Sequence, residues 1–385
     1  MQTRLILKVL GFLLIIFSVS LLPPLLIGWF DADGTHLVFL QAWIGLLLLG
    51  IFMWLPNRSI SDEMRIRDGF LIVVLFWLVL ALSGALPFML SENPHMSIVD
   101  AVFESMSGLT TTGATVLTGL DDLPRSILYY RQQLQWLGGM GIIVLAVAIA
   151  PILGVGGMQL FRAEATGPMT NNKLTPRIKE TAKALWYIYL GLTAVCAALY
   201  FLAGMSLFDA IGHSFSTLAI GGFSTHDKSI AFFNNPMIDI IAMLFMVIAG
   251  INFSLHYLAL RRRSLRLYFS DSEVKAFLLI LAFLSVITIS VLIVESTFED
   301  TGVAIRLGLF QVISVATTTG FTTNNFSYWP GLLPVLLIIS SFVGGCAGST
   351  AGGMKVIRVE LLLRQGRREI DRLLHPNAVL PIKLN

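Results

Sequence analysis

With 385 residues, 56% hydrophobic and only 13% charged, the chain is too apolar for a soluble globule, and its mean hydropathy of +0.80 agrees. Its net charge of +3 matters less than where the charges fall, and no nucleic-acid partner is expected. The two cysteines, Cys196 and Cys346, both sit in apolar segments, which excludes a disulfide framework and a thiolate metal site.

The chain opens with Arg4 and Lys8 ahead of an apolar run that continues to Trp29 without a small-x-small cleavage pattern, so the spacing predicts a retained first helix. A bilayer core of about 30 Å needs about 20 apolar residues as helix. Predicted spans are 7–29, 36–55, 69–90, 130–153, 184–204, 236–259, 276–295 and 331–354. Between the third and fourth, fifth and sixth, and seventh and eighth lie the shorter stretches 98–110, 207–219 and 304–317. These are too short to cross and are predicted to be re-entrant half-helices. Of 26 basic residues, 22 fall at the N-terminus or after even-numbered spans, leaving only Arg125, Arg131, Lys228 and Arg306 on the other side. By the positive-inside rule the chain is multi-pass with both termini cytoplasmic, and the half-helices dip in from outside. The predicted organisation is a two-helix preface at 1–68 and three helix–re-entrant–helix repeats at 69–165, 166–270 and 271–385.

Each half-helix runs into a glycine turn: TTGAT (Thr111–Thr115), IGGFS (Ile220–Ser224) and TTGFT (Thr318–Thr322). With Gly113, Gly222 and Gly320 in register, Glu104, His213 and Gln311 align nine positions upstream, and Ser107, Ser216 and Ser314 align six upstream. All three repeats begin on the same side, so they are parallel. Unpaired peptide groups are not tolerated facing lipid, so turns at membrane depth imply a lined aqueous path. Backbone carbonyls can replace the hydration shell of a potassium ion without holding it too tightly, and glycine supplies the dihedrals that aim them. The expected ion-contacting positions are Thr111, Thr112 and Gly113, then Ile220, Gly221 and Gly222, then Thr318, Thr319 and Gly320. The C-terminal end of each half-helix also favours a cation. No ring of carboxylates lines the turns, which argues against a divalent site. Glu104, His213 and Gln311 are expected to brace the turns from behind, with Arg131 a candidate partner for Glu104. His36, His95, His226, His256 and His375 have no metal-ligand spacing.

In the last span GGCAGSTAGGMK (Gly344–Lys355) interrupts the apolar run after about fourteen residues. Met354 stands where a phosphate-loop lysine would follow Gly353, so nucleotide binding is rejected there. Gly344, Gly345, Gly348, Ser349, Thr350, Gly352, Gly353 and Lys355 are instead expected to form a gate beneath the turns, with Lys355 opposing cations. No HExxH, Ser–His–Asp arrangement or paired intramembrane carboxylate suggests an enzyme.

The strings GFLIVVLFW, GLTTTGAT, LQWLGGMGIIVLAVAI, GVGGMQL, IGHSFSTLAIGGFSTHD, GGCAGST and HPNAV cover nearly the whole chain. They resemble the Trk/Ktr superfamily of potassium-uptake membrane subunits, most closely its TrkH branch. The resemblance implies an all-α protein of the bacterial inner membrane whose turns are filter segments and whose Gly344–Lys355 segment is an intramembrane gating loop. It implies potassium as the transported ion with no organic cofactor, modest discrimination over sodium, a homodimer in membrane lipid, and a cytosolic nucleotide-binding regulator of the TrkA kind. That family has four repeats; here the fourth repeat is absent, since the spacing would place its glycine at roughly residue 425. The expectation is therefore of a longer subunit, and of poor conduction by residues 1–385 alone. An ion-coupled symporter and a non-conducting membrane partner remain open beside a gated passive pore.

Overall fold

Apolar runs of about twenty residues fold as helices because a helix satisfies each peptide group within its own segment. The structure, a computed structural model, describes residues 2–60, 66–152 and 178–374. Among them every element is helical. The boundary expected at 165–166, the GVGGMQL string and the closing HPNAV lie outside the described residues. Contacts divide the chain into Met1–Phe233 and Asn234–Asn385.

The first unit holds α1 (Thr3–Val19), α2 (Leu22–Phe30), α3 (His36–Trp54), α4 (Ile66–Gly84), α5 (Leu86–Leu90), α6 (Ile98–Leu109), α7 (Arg125–Ile152), α8 (Ile178–Leu202) and α9 (Leu207–Ala219). The second holds α10 (Pro236–Ala249), α11 (Phe253–Arg262), α12 (Arg266–Ser270), α13 (Ser272–Val294), α14 (Thr301–Ala316), α15 (Leu333–Ser341) and α16 (Val356–Leu374). Thr3–Phe30, His36–Asn57, Leu71–Leu90, Lys183–Leu202 and Ser272–Val294 are each long and apolar enough to cross a membrane. Large apolar side chains stay exposed along them, such as Phe52 at 77% and Phe283 at 66%, as a lipid-facing surface requires.

Two predicted spans differ from the structure. The sixth, 236–259, is a pair of helices, α10 and α11, bent by 94° at Gly250–Asn252. Asn252 caps α11 by accepting from the Ser254 N–H at 2.8 Å, and His256 closes the bend through the Ile248 carbonyl at 3.0 Å and Tyr268 Oη at 2.8 Å. The eighth, 331–354, is helical only over Leu333–Ser341, because the glycines that follow take left-handed dihedrals no helix accommodates. Among the described residues five stretches are both long and apolar enough to span, or six if the bent pair is one; α7, 28 residues long, covers the fourth expected span without being one of them.

The short helices form where the sequence placed them. α6, α9 and α14 have 12, 13 and 16 residues, about 18–24 Å of helix. Ser97 and Ser206 accept from the N–H groups of Asp100 and Asp209, and Asp300 accepts from that of Gly302, satisfying donors a helix start leaves orphaned. In the first unit α7 packs on α2, α6, α8 and α9. Its Gly138 and Gly139 admit the ends of the two short helices. A Cβ at Gly138 would overlap the Leu109 carbonyl, and one at Gly139 would lie 2.9 Å from Ala219 Cα. Cys196 and Cys346 are both free and buried.

Gly138→Ala should lower stability by about 1–3 kcal/mol, because backbone cannot move aside as a side-chain tip can. Gly141→Ala, where nothing described lies within 4 Å, should leave it unchanged. Thermal unfolding of the two variants in detergent compares them directly.

Candidate functional site

The C-terminal ends of α6, α9 and α14 share one backbone pattern. Thr111, Ile220 and Thr318 have φ of 54°, 54° and 69°, and two residues later Gly113, Gly222 and Gly320 have 75°, 77° and 85°. Glycine adopts these values at little cost. A β-branched residue does not, and a sparsely populated dihedral of this kind costs on the order of 1–3 kcal/mol. Strain recurring at the same register in three places is maintained by its surroundings.

Those surroundings repeat as well. The N–H before each glycine, from Thr112, Gly221 and Thr319, donates to the carbonyl of Ser107, Ser216 and Ser314 at 2.9, 2.9 and 2.8 Å. The Ser107 and Ser314 hydroxyls donate to the carbonyls just after the glycine, Ala114 at 2.5 Å and Phe321 at 2.7 Å. In the second turn Gln132 Nε2 takes that place, donating to the Phe223 carbonyl at 3.3 Å. The residues nine positions upstream brace the descending chain. Glu104 accepts from Thr115 Oγ1 at 2.9 Å and the Val116 N–H at 3.2 Å. His213 Nε2 pairs with Ser224 Oγ at 2.9 Å, and Gln311 Nε2 donates to the Asn324 carbonyl at 2.8 Å.

Because these bonds are made behind each turn, no described hydrogen bond ends on the carbonyl oxygens of Thr111, Thr112, Gly113, Ile220, Gly222, Thr318, Thr319 or Gly320. Gly221 differs: its oxygen accepts from Gln135 Nε2 at 2.6 Å. Uncharged oxygens with no donor among the described residues, at the C-terminal ends of helices, have the chemistry to replace water around a monovalent cation. Among the described residues no group of three His, Cys, Asp or Glu side chains could hold a metal ion.

The first unit brings two turns together. Gly113 lies so close to the Gly221 carbonyl that a Cβ would overlap it. Arg131 on α7 ties the pair: Nε donates to Glu104 at 2.7 Å, Nη2 to Thr115 Oγ1 at 3.0 Å and Nη1 to the Ser224 carbonyl at 3.1 Å. Its guanidinium lies 4.3 Å from the Phe223 ring centroid. The loops beyond are joined too. Asp227 accepts from the Gly119 and Leu120 N–H groups at 3.0 Å each, and His226 Nδ1 meets Asp121 at 2.5 Å. Burial would push the His226 imidazole down, but its bonds to Asp209 and Asp121 outweigh this and hold its pKa above the ordinary 6.5.

In the second unit the Gly344–Lys355 loop meets the third turn. The Gly352 N–H donates to Thr318 Oγ1 at 2.7 Å. The loop is pinched at its base, where a Cβ on Gly353 would lie 2.8 Å from Gly344 Cα. It is anchored on the α10–α11 bend by Cys346 N–H to the Gly250 carbonyl at 2.9 Å and Phe253 N–H to the Gly348 carbonyl at 3.0 Å. Thr350 Oγ1 reaches the Ala249 carbonyl at 3.3 Å. Glu273 accepts from the Ala347 N–H at 2.7 Å and the Ile357 N–H at 3.2 Å. Gly345 carries the Val356 N–H at 3.0 Å, and Ser349 Oγ donates to the Cys346 carbonyl at 2.6 Å. The Lys355 ammonium folds onto the loop's own carbonyls, Ala351 and Ser349.

The sequence offered Arg131 either as a partner of Glu104 or as a side chain snorkelling to the interface; the structure gives the first, with a grip on the second turn that the sequence did not indicate, nor did it indicate the roles of Gln132, Gln135, His226 and Glu273. The run Arg131–Gln132–Gln133 with Gln135 is a signal, since so many polar groups inside an apolar helix need buried partners. No linear signal pairs His226 with Asp121, 105 residues away.

A family model described as TrkH, cation transport protein, matches residues 35–385. The Trk system potassium uptake protein TrkH of Halomonas elongata is 57% identical over 385 residues, spanning all of this chain and 80% of that relative. TrkH of Escherichia coli (strain K12) is 55% identical over 384 residues, with the same coverage. TrkG of that strain is 39% identical over 383 residues, spanning all of this chain and 79% of TrkG. The crystal structure of the potassium transporter TrkH from Vibrio parahaemolyticus superposes with a TM-score of 0.90 at 51% identity, covering all of this chain and 79% of that one.

Two outcomes are expected. Arg131 and Glu104 are 1% and 0% exposed, so Glu104→Ala leaves a buried charge unpaired and should cost about 3–5 kcal/mol; the double variant with Arg131→Met should cost less, as measured by thermal unfolding. A group whose pKa is raised on folding stabilises fully below its unfolded value and ceases to as pH rises through the folded one. The wild-type melting temperature should therefore fall as pH rises above the ordinary histidine value of 6.5, and His226→Gln should flatten that fall.

Proposed function

The chain belongs to the TrkH family of cation transport proteins; it is membrane-embedded and not an enzyme. We propose that it takes up potassium through a path lined by main-chain oxygens of its three glycine turns. The observation that carries this reading is the recurring left-handed pair at each turn, with neighbouring N–H groups tied behind it and oxygens that meet no described donor. A potassium ion shedding water needs several neutral oxygens held in place. Thr111, Thr112, Gly113, Ile220, Gly222, Thr318, Thr319 and Gly320 supply them, and Gly221 contributes while sharing its oxygen with Gln135. The half-helix ends add favourable dipole potential without a fixed charge that would trap the ion.

In this reading α6, α9 and α14 are re-entrant helices of three parallel repeats, and Gly344–Lys355 is the gate. Its link to Thr318 couples the loop to a turn, so movement of the loop changes the third turn's surroundings. Lys355 acts by position: its ammonium occupies carbonyls of the loop as a tethered cation would. The relatives are named as parts of a Trk system. That naming supports partner subunits; in this reading the chain works as a homodimer in the bacterial inner membrane, with both termini cytoplasmic as its basic loops suggest, and a TrkA-like nucleotide-binding regulator on its basic face.

Rubidium uptake by proteoliposomes tests the path. Gly113→Ala, whose Cβ would collide with the Gly221 carbonyl, should reduce uptake more than tenfold, a barrier increase above about 1.4 kcal/mol. Gly320→Ala meets no neighbour within 4 Å and suffers only dihedral strain, so its loss should be smaller. Wild-type rates in both variants would remove the turns from the ion path.

A further inference from the structure

The first and third turns are stiffened by their own hydroxyls, whereas the second has none at those positions. Thr110 Oγ1 donates to the Met106 carbonyl at 2.8 Å and pairs with Thr112 Oγ1 at 2.7 Å. Thr317 Oγ1 likewise donates to the Ile313 carbonyl and pairs with Thr319 Oγ1, each at 2.7 Å. The matching residues of the second turn are Ala219 and Gly221. The space of the missing side chain is filled from α7. A Cβ on Gly221 would lie 2.6 Å from Gln135 Oε1 and 2.7 Å from its Nε2. That amide donates to the Gly221 carbonyl at 2.6 Å and accepts from the Phe223 N–H at 3.0 Å, so it holds the peptides on both sides of Gly222. Gln135 is fully buried.

We propose that Gln135 is a positioning residue for ion discrimination: it replaces the threonine pair of the other turns and fixes the oxygens of the second. This rests on the turns being the ion path. Because the amide holds the Gly221 carbonyl, the second turn presents its oxygens differently from the first and third. Its brace at this position comes from a separate helix, whereas the threonine pairs of the other two lie within their own chain segment. Glycine at 221 follows from the same packing, since any larger residue collides with the amide.

The test is the rise in melting temperature of the purified protein in potassium chloride compared with sodium chloride, with choline chloride as the reference. Wild type should be protected more by potassium, since an ion bound only to the folded state stabilises it. Gln135→Met keeps the volume and loses both bonds; its preference for potassium should fall about three- to tenfold in apparent affinity, and its choline melting temperature, lowered because the Phe223 N–H loses its acceptor, serves as its own reference. The triple variant Gln135→Ala/Ala219→Thr/Gly221→Thr rebuilds the threonine pair and should regain the preference. Unchanged preference in Gln135→Met, or no recovery in the triple variant, overturns the proposal. If Gln135→Met does not fold, the triple variant alone decides, by keeping or losing the preference. A wild type without any potassium preference overturns the underlying ion-path reading, and this role with it.

Discussion

A carbonyl serves a passing ion best when its own protein leaves it without a donor, and inside a membrane that condition is hard to meet. Every other peptide group nearby must be satisfied, because lipid offers no partner. The three glycine turns meet it by binding the N–H groups backwards: each turn folds onto the serine carbonyl six residues before its glycine. The left-handed dihedrals at Thr111, Ile220 and Thr318 follow from that fold-back. Many of the buried polar side chains lie around the turns, among them Glu104, Arg131, Gln135, His213, Gln311 and Ser314, and the bonds they make there offset part of the cost of burying them.

The turns are alike in backbone and unlike in support. Glu104, His213 and Gln311 occupy one position and do one task with a charged, an aromatic and an amide group. Glu104 carries a charge and so needs Arg131, which is used a second time to hold the second turn. His213 braces through Ser224 and the Asp209 carbonyl, and Gln311 through the Asn324 carbonyl. A repeat can thus keep its geometry while its side chains diverge, provided each replacement brings its own buried partners.

In the second unit the bend at Gly250–Asn252 and the loop Gly344–Lys355 explain each other. Breaking a helix frees carbonyls at one end and N–H groups at the next start, and the loop bonds to both sides through Cys346 and Gly348. The loop is held by backbone bonds and by three side chains, Glu273, Thr318 and Thr350, in place of a continuous helical ladder. That suits the gating role proposed for it.

Helical class, the long apolar spans, the register of the turns and the bracing by Glu104 were all legible in the sequence, because helix length, apolar run length and glycine dihedrals are local properties. The break inside 236–259 was not, since Gly250 and Asn252 sit in a run apolar enough as a whole to read as one span, and the bend depends on the loop arriving from residues 346–350 to take up its freed backbone groups. Nor was the role of Gln135: a glutamine in a helix announces that a partner exists and does not say which. The sequence by itself determined where backbone leaves the helix and which residues permit it. Only the tertiary structure decided which carbonyls are taken and which are left, because a hydrogen bond across 86 residues of chain depends on how helices cross.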